Sequence, residues 1–140
     1  MEEKQTGKCG KGLTWTYDLP KRTLVISGKG KMYSYNNDID EEMAPWALFV
    51  INKMIFEEGV ESIGLDTFSR PYKKRNILEI HIPQSVVSLC PVNEGVDYIG
   101  DVYYAGTKEK WERLTDSTRT WFNQCGIISP LFKAHMHFAK

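Results

Sequence analysis

Two stretches of this chain can be laid on one another position for position. Ile51 to Ile63 (INKMIFEEGVESI) and Ile77 to Leu89 (ILEIHIPQSVVSL) stand 26 residues apart, and Met54/Ile80, Phe56/Ile82, Val60/Val86, Ser62/Ser88 and Ile63/Leu89 agree in type. Such an echo means one short supersecondary unit made twice, and a unit so small buries its apolar side only by stacking on its neighbour. Alternation within each copy names the element. Side chains of a strand point to opposite faces in turn, so Met54 and Phe56 share one face while Lys53 and Ile55 share the other. Degenerate copies of the strand recur at Asp101 to Tyr104 and at Ala134 to Phe138.

The register follows from the alignment. Met54 and Phe56, Ile80 and Ile82, Val102 and Tyr104, and Met136 and Phe138 are expected to point inward. Lys53, Glu79, Asp101 and His135 then form one outward row, and Ile55, His81, Tyr103 and His137 a second. Lys53 and Glu79 become cross-strand neighbours. We take Ile55, His81, Tyr103, His137, Lys53 and Glu79 as the candidate binding residues, because aromatic groups at the centre of a face anchor partners and rim charges orient them.

A repeat of roughly 20 to 29 residues with one strand per unit is the leucine-rich class of solenoid. Two clean units leave an apolar end on each side, so each end needs a cap. Leu13-Thr14-Trp15-Thr16-Tyr17 and Thr23-Leu24-Val25-Ile26-Ser27, joined by Asp18 to Arg22, read as a hairpin. Gly28-Lys29-Gly30 ends it, and Tyr33 to Asp38 reads as a polar loop anchored by buried aromatics. Pro45 stands where a helix begins, predicting a helical turn or two through Val50. A further helix is expected from Thr107 to Leu114, with Thr107 as its cap and Trp111 and Leu114 on one face. The expected fold is therefore mainly β with short helices: a short leucine-rich-repeat solenoid with an N-terminal β-hairpin cap and a C-terminal helix-containing cap. The 140 residues suit one domain, 1–140, laid out as a cap over 9–50, repeat turns over 51–100 and a closing module over 101–140.

Several of these segments, in this order, resemble one family. Cys9-Gly10-Lys11-Gly12-Leu13-Thr14-Trp15-Thr16, then Thr23 to Tyr33, then Ala44-Pro45-Trp46 look like the N-terminal cap of BspA-like bacterial leucine-rich repeat proteins. Ile63-Gly64-Leu65-Asp66-Thr67-Phe68 and Ile82-Pro83-Gln84-Ser85-Val86 resemble pieces of its repeat, and Val102 to Trp111 with Pro130 to Phe138 its closing module. The resemblance implies a secreted or surface-attached protein used for adhesion or protein contact. The chain departs from that pattern in having about two repeats, and in carrying Arg70-Pro71-Tyr72-Lys73-Lys74 where a small Cys-containing turn is usual.

Other signals narrow the function classes. Eighteen basic and eighteen acidic side chains exclude a globally basic nucleic-acid binder. The longest apolar run, Ala44 to Ile51, is broken by Pro45 and falls far short of the ~20 residues that span a bilayer. Met1 to Gly7 is polar where a secretory signal is apolar. That start points to the cytoplasm if Met1 is native, whereas the resemblance points to the cell surface. Cys9, Cys90 and Cys125 are too widely spaced for a zinc motif. His135 and His137 share one strand face but have no Cys or carboxylate near them in sequence, so no metal and no cofactor is assigned. Asn36, Asp38 and Asp40 copy the start of a calcium loop, yet Glu41 replaces its Gly and Ala47 its bidentate Glu. Gly28-Lys29-Gly30-Lys31 lacks the Ser or Thr of a phosphate cradle. Arg70, Lys73, Lys74 and Arg75 form a basic cluster that reads first as a solvated loop.

No nucleophile elbow or cysteine signature is present, which argues against an enzyme. The expectation is a non-catalytic protein-binding module with a protein partner, no nucleic acid and no transmembrane segment, and with a homo-oligomer as a further option. An intracellular inhibitor or small regulator on the same scaffold is the alternative, and an unrecognised hydrolase or metal protein the remote one.

Overall fold

The computed structural model describes residues 4–64, 66–90, 95–125 and 129–139. Met1 and Leu65 lie outside them, as does the side chain of Cys125. Strands β1 (Lys4–Gly10), β2 (Leu13–Asp18) and β3 (Thr23–Gly28) form an antiparallel meander, followed by the two-residue β4 (Gly30–Lys31). Then come β5 (Lys53–Phe56), β6 (Val60–Ile63), β7 (Arg75–Ile82), β8 (Ser88–Leu89) and β9 (Val96–Tyr104). Helix α1 (Lys108–Cys125), the single turn α2 (Pro130–Lys133) and β10 (His135–Phe138) end the described chain.

The strands build two sheets. The larger is mixed and runs β1-β2-β3-β5-β7-β9-β10, antiparallel through β3 and parallel from there on. The smaller, β4-β6-β8, is parallel. The echo in the sequence is the pairing register of both: Met54 lies opposite Ile80 in the large sheet, and Ser62 and Ile63 lie opposite Ser88 and Leu89 in the small one. The connecting turns stack with the same step, since Ser85 Oγ accepts from the Gly59 N–H at 2.9 Å and donates to the Val60 carbonyl at 2.7 Å. Gly59 sits at φ 112, and a Cβ there would run into the Gly28 carbonyl oxygen, so the corner between β5 and β6 requires glycine.

Inward side chains of the two sheets meet in one hydrophobic cluster. Leu24, Ile26, Met54, Phe56, Ile80, Ile82, Val102 and Tyr104 enter from the large sheet, and Val60, Ile63 and Leu89 from the small one. Trp111 of α1 is buried with its ring 5.2 Å from that of Tyr104, closing one end. Thr107 caps α1 as its sequence predicts, accepting from the Lys110 N–H at 3.2 Å.

Several local expectations are corrected. β1 is a strand the alternation did not announce, because only Cys9 among its side chains is buried apolar and its order comes from pairing with β2. Residues 44–50 form two successive turns, closed by Ala47 N–H to Ala44 O and Phe49 N–H to Trp46 O, and no α-helix; a 3-10 turn at Asp40–Glu42 precedes them. Trp46 donates from Nε1 to the Thr67 carbonyl at 2.8 Å, tying this segment to a neighbouring loop instead of to a longer helix. Tyr33 is half-exposed, so the loop after β4 is anchored by Tyr35, packed edge-on at 5.6 Å against Trp46, and by buried Asn37. β9 starts at Val96, ahead of the expected Asp101. α1 extends past Leu114 to Cys125, and α2 adds a second helix to the closing module.

Arg75 is the largest departure from the expected basic cluster. It is buried, and its guanidinium donates to five main-chain carbonyls: Trp46, Ala47, Phe49, Phe68 and Ser69, at 2.9 to 3.3 Å. Burial pulls its pKa down to about 10, which leaves it charged at neutral pH.

Candidate functional site

Pairing in the large sheet carries the two outward rows across five or more strands. One runs Thr16, Val25, Ile55, His81, Tyr103, His137 and the other Asp18, Thr23, Lys53, Glu79, Asp101, His135. All six sequence-predicted site residues therefore lie on one face, in the predicted order, and each is partly exposed. The inward residues beside them, Met54, Phe56, Ile80, Ile82, Val102 and Tyr104, are buried, which fixes the register.

Cross-strand neighbours stand about 4.8 Å apart, close to the spacing of stacked rings, so a row of planar side chains becomes a stack. The rings of His81 and Tyr103 lie 4.7 Å apart at 12°, and those of Tyr103 and His137 4.3 Å apart at 9°. His135 continues the stack, 4.7 Å from His137 at 28°.

The second row supplies charge. Glu79 Oε2 is 3.0 Å from His81 Nε2 and 3.3 Å from Lys53 Nζ, giving the predicted cross-strand pair together with a bond along the strand. The hydrogen bond from His81 lowers the Glu79 pKa most, with Lys53 contributing further. One strand along, Asp101 Oδ1 lies 2.9 Å from His137 Nε2 and 3.8 Å from His135 Nδ1. Each carboxylate thus holds an imidazole edge and sets its orientation, while the ring face stays in the stack.

Asp101 is the carboxylate missing from the sequence around His135 and His137, although the outward row already set it beside His135. It stands 36 residues from His137, and strand pairing brings them together. The alignment of the degenerate strand copies carried this signal, but a search for ligands close in sequence does not use it.

Two other places gather polar groups. At one end of the large sheet, Asp18, Lys21, Val25, Lys53 and Ile55 line a shallow cleft of about 470 Å³ that continues the outward rows. Elsewhere, Asn37, Asp38, Asp66, Ser69, Arg70 and Lys73 help to line a cleft of about 360 Å³. Buried Asn37 organises it, donating from Nδ2 to Ser69 Oγ at 3.0 Å and accepting at Oδ1 from the Ala44 N–H at 3.0 Å. The calcium-like spacing is not assembled as a ligand loop. Asn36 Oδ1 accepts from the Asp38 N–H at 3.1 Å, and Asp40 opens the 3-10 turn.

No family model matches the chain, and no curated protein matches it. Among solved structures it is similar to a leucine-rich repeat protein from Eubacterium ventriosum ATCC 27560, with 17% identity and a TM-score of 0.46 over 75% of this chain. The chain spans 32% of that protein's length. No helix among the described residues is long and apolar enough to cross a membrane.

Proposed function

We propose that this chain is a non-catalytic protein-binding module of leucine-rich-repeat type, a short member of the BspA-like group, serving adhesion or protein contact at a bacterial surface. One observation carries the reading: a continuous stack of His81, Tyr103 and His137 on the outward face of the large sheet, edged by the Lys53–Glu79 pair. Solubility alone needs no ordered ring stack there. Aromatic and imidazole surfaces held rigid by stacking lose little conformational entropy when a partner covers them, which is what an anchor requires. The parallel strands at a 26-residue step support the solenoid reading, with the β1 to β3 meander as one cap and α1 as the other. The partner that fits is a protein presenting an apolar side chain to the ring stack and opposite charges to Lys53 and Glu79.

The test uses the described chain as bait against bacterial and host extracts, beside the double variant His81→Ala/Tyr103→Ala. A protein retained by the first and lost by the second is then purified and titrated. Tyr103→Ala is expected to weaken binding by more than ~1 kcal/mol with the melting temperature nearly unchanged. Binding that survives the double change would move the site to the loop Tyr33 to Glu42 and the turn Arg70 to Lys74. Native protein found only in the cytosol would overturn the surface role and leave the inhibitor or regulator reading.

A further inference from the structure

β10 is an edge strand of the large sheet, and the two imidazoles it turns outward converge on one carboxylate from β9. Asp101 Oδ1 lies 2.9 Å from His137 Nε2 and 3.8 Å from His135 Nδ1, and the ligand atoms of the three residues all fall within 4.8 Å of one another. A tetrahedral ion with bonds of about 2.0 to 2.2 Å spaces its ligand atoms about 3.3 to 3.5 Å apart. The two measured edges bracket that value. Reaching it needs shifts of about half an ångström on these two edges, and the edge between the two imidazoles, within 4.8 Å, closes as His135, with 77% of its side chain exposed, swings inward. His137 is already oriented by stacking on Tyr103 at 4.3 Å.

We propose that Asp101, His135 and His137 form a three-ligand site for a divalent cation of the zinc class. Two imidazole nitrogens and one carboxylate suit zinc, cobalt, nickel or copper, and not the all-oxygen shells of magnesium or calcium. The ion takes the place of the hydrogen between His137 Nε2 and Asp101 Oδ1. Three protein ligands leave the fourth tetrahedral position for water or for a donor group from outside the chain. Since the ligands come from neighbouring strands, the ion also clips β10 to β9, and binding to the folded state alone raises the melting temperature.

Zinc chloride titrated calorimetrically into the chelator-treated protein tests the site without any partner, so its outcome is independent of the protein-binding reading. One equivalent is expected to bind and to raise the melting temperature. His137→Ala and Asp101→Asn should each weaken binding at least tenfold. His135→Ala should do the same and keep the fold, because that side chain is exposed. Cobalt(II) should give the intense visible absorption of a tetrahedral site without a thiolate charge-transfer band. Absence of saturable binding, affinity unchanged in His137→Ala, a weak octahedral cobalt spectrum, or a thiolate band tracing the metal to cysteine would each overturn the proposal.

Discussion

Arg75 shows how one side chain can organise loops that share no repeat. Its planar fork reaches carbonyls of the 44–50 turns and of the loop at Phe68 and Ser69; of these five acceptors, Trp46 O also receives the Phe49 N–H and Ser69 O the Asn37 amide, whereas, among the described residues, Ala47, Phe49 and Phe68 depend on Arg75. Leaving buried carbonyls unpaired costs about 1 to 3 kcal/mol each before relaxation and water entry. Arg75→Ala is therefore expected to destabilise the fold by about 3 kcal/mol or more. Arg75→Lys should recover little, since an ammonium offers three donors on a flexible stem and no fork. Urea denaturation of the two variants checks both statements, and a lysine variant as stable as the parent would show that charge, not geometry, is what the site needs. Nothing in Arg70-Pro71-Tyr72-Lys73-Lys74-Arg75 separates the last residue from its basic neighbours, because its acceptors come from positions up to 29 residues away. The outward residues were legible for the opposite reason. Lys53, Ile55, His81 and Tyr103 follow from alternation alone, which is a local rule.

At the scale of elements, what the sequence announced depends on whether an element makes its own pattern. The β2–β3 hairpin, β5, β7 and the start of α1 carry alternation, turn residues or a capping threonine, and each stands where those signals put it. β1 and the far half of α1 lack such signals: KQTGKCG has no apolar alternation, and the helix passes Leu114 into a polar run, TDSTRT. The site followed the same division. The ring stack was readable from the strand copies, whereas the approach of Asp101 to both histidines needs β9 and β10 to pair in one particular register. The cap of α1 is a test of a local signal. Thr107 accepts from the Lys110 N–H, with Glu109 near the positive end of the helix, so Thr107→Ala should cost about 1 kcal/mol. Thermal melting of this variant checks it, and a loss far below that value would place the energetic start of α1 elsewhere.

Across the whole molecule the question is whether the meander, the paired turns and the helical end behave as one cooperative unit. In a stack of repeats each turn touches its neighbours only, so cooperativity rests on the interfaces between them. Here one hydrophobic cluster runs from Cys9 and Trp15 beside the meander, through Met54, Phe56, Ile80 and Ile82, to Trp111 and Leu131 at the other end. Phe56 sits in the middle of that path, buried and packed edge-on at 5.8 Å against Phe68. Phe56→Ala leaves a cavity between adjacent turns and should cost about 3 to 5 kcal/mol, a large fraction of a domain's stability. If the interfaces couple the two ends, that central loss lowers the unfolding midpoint of both ends together. Ring environment reports each end separately. Trp15 and Trp46 pack together at 6.0 Å on the meander side, and Trp111 lies against Tyr104 at the helical end. Replacing tryptophans by phenylalanine to leave either Trp46 or Trp111 as the sole reporter, with and without Phe56→Ala, gives four unfolding curves. The two ends are expected to share one midpoint in the parent and a common, lower one in the Phe56→Ala background. Separate midpoints in either background would mean that the chain is two weakly coupled units meeting at β5, and that the outward ring stack is built on only one of them.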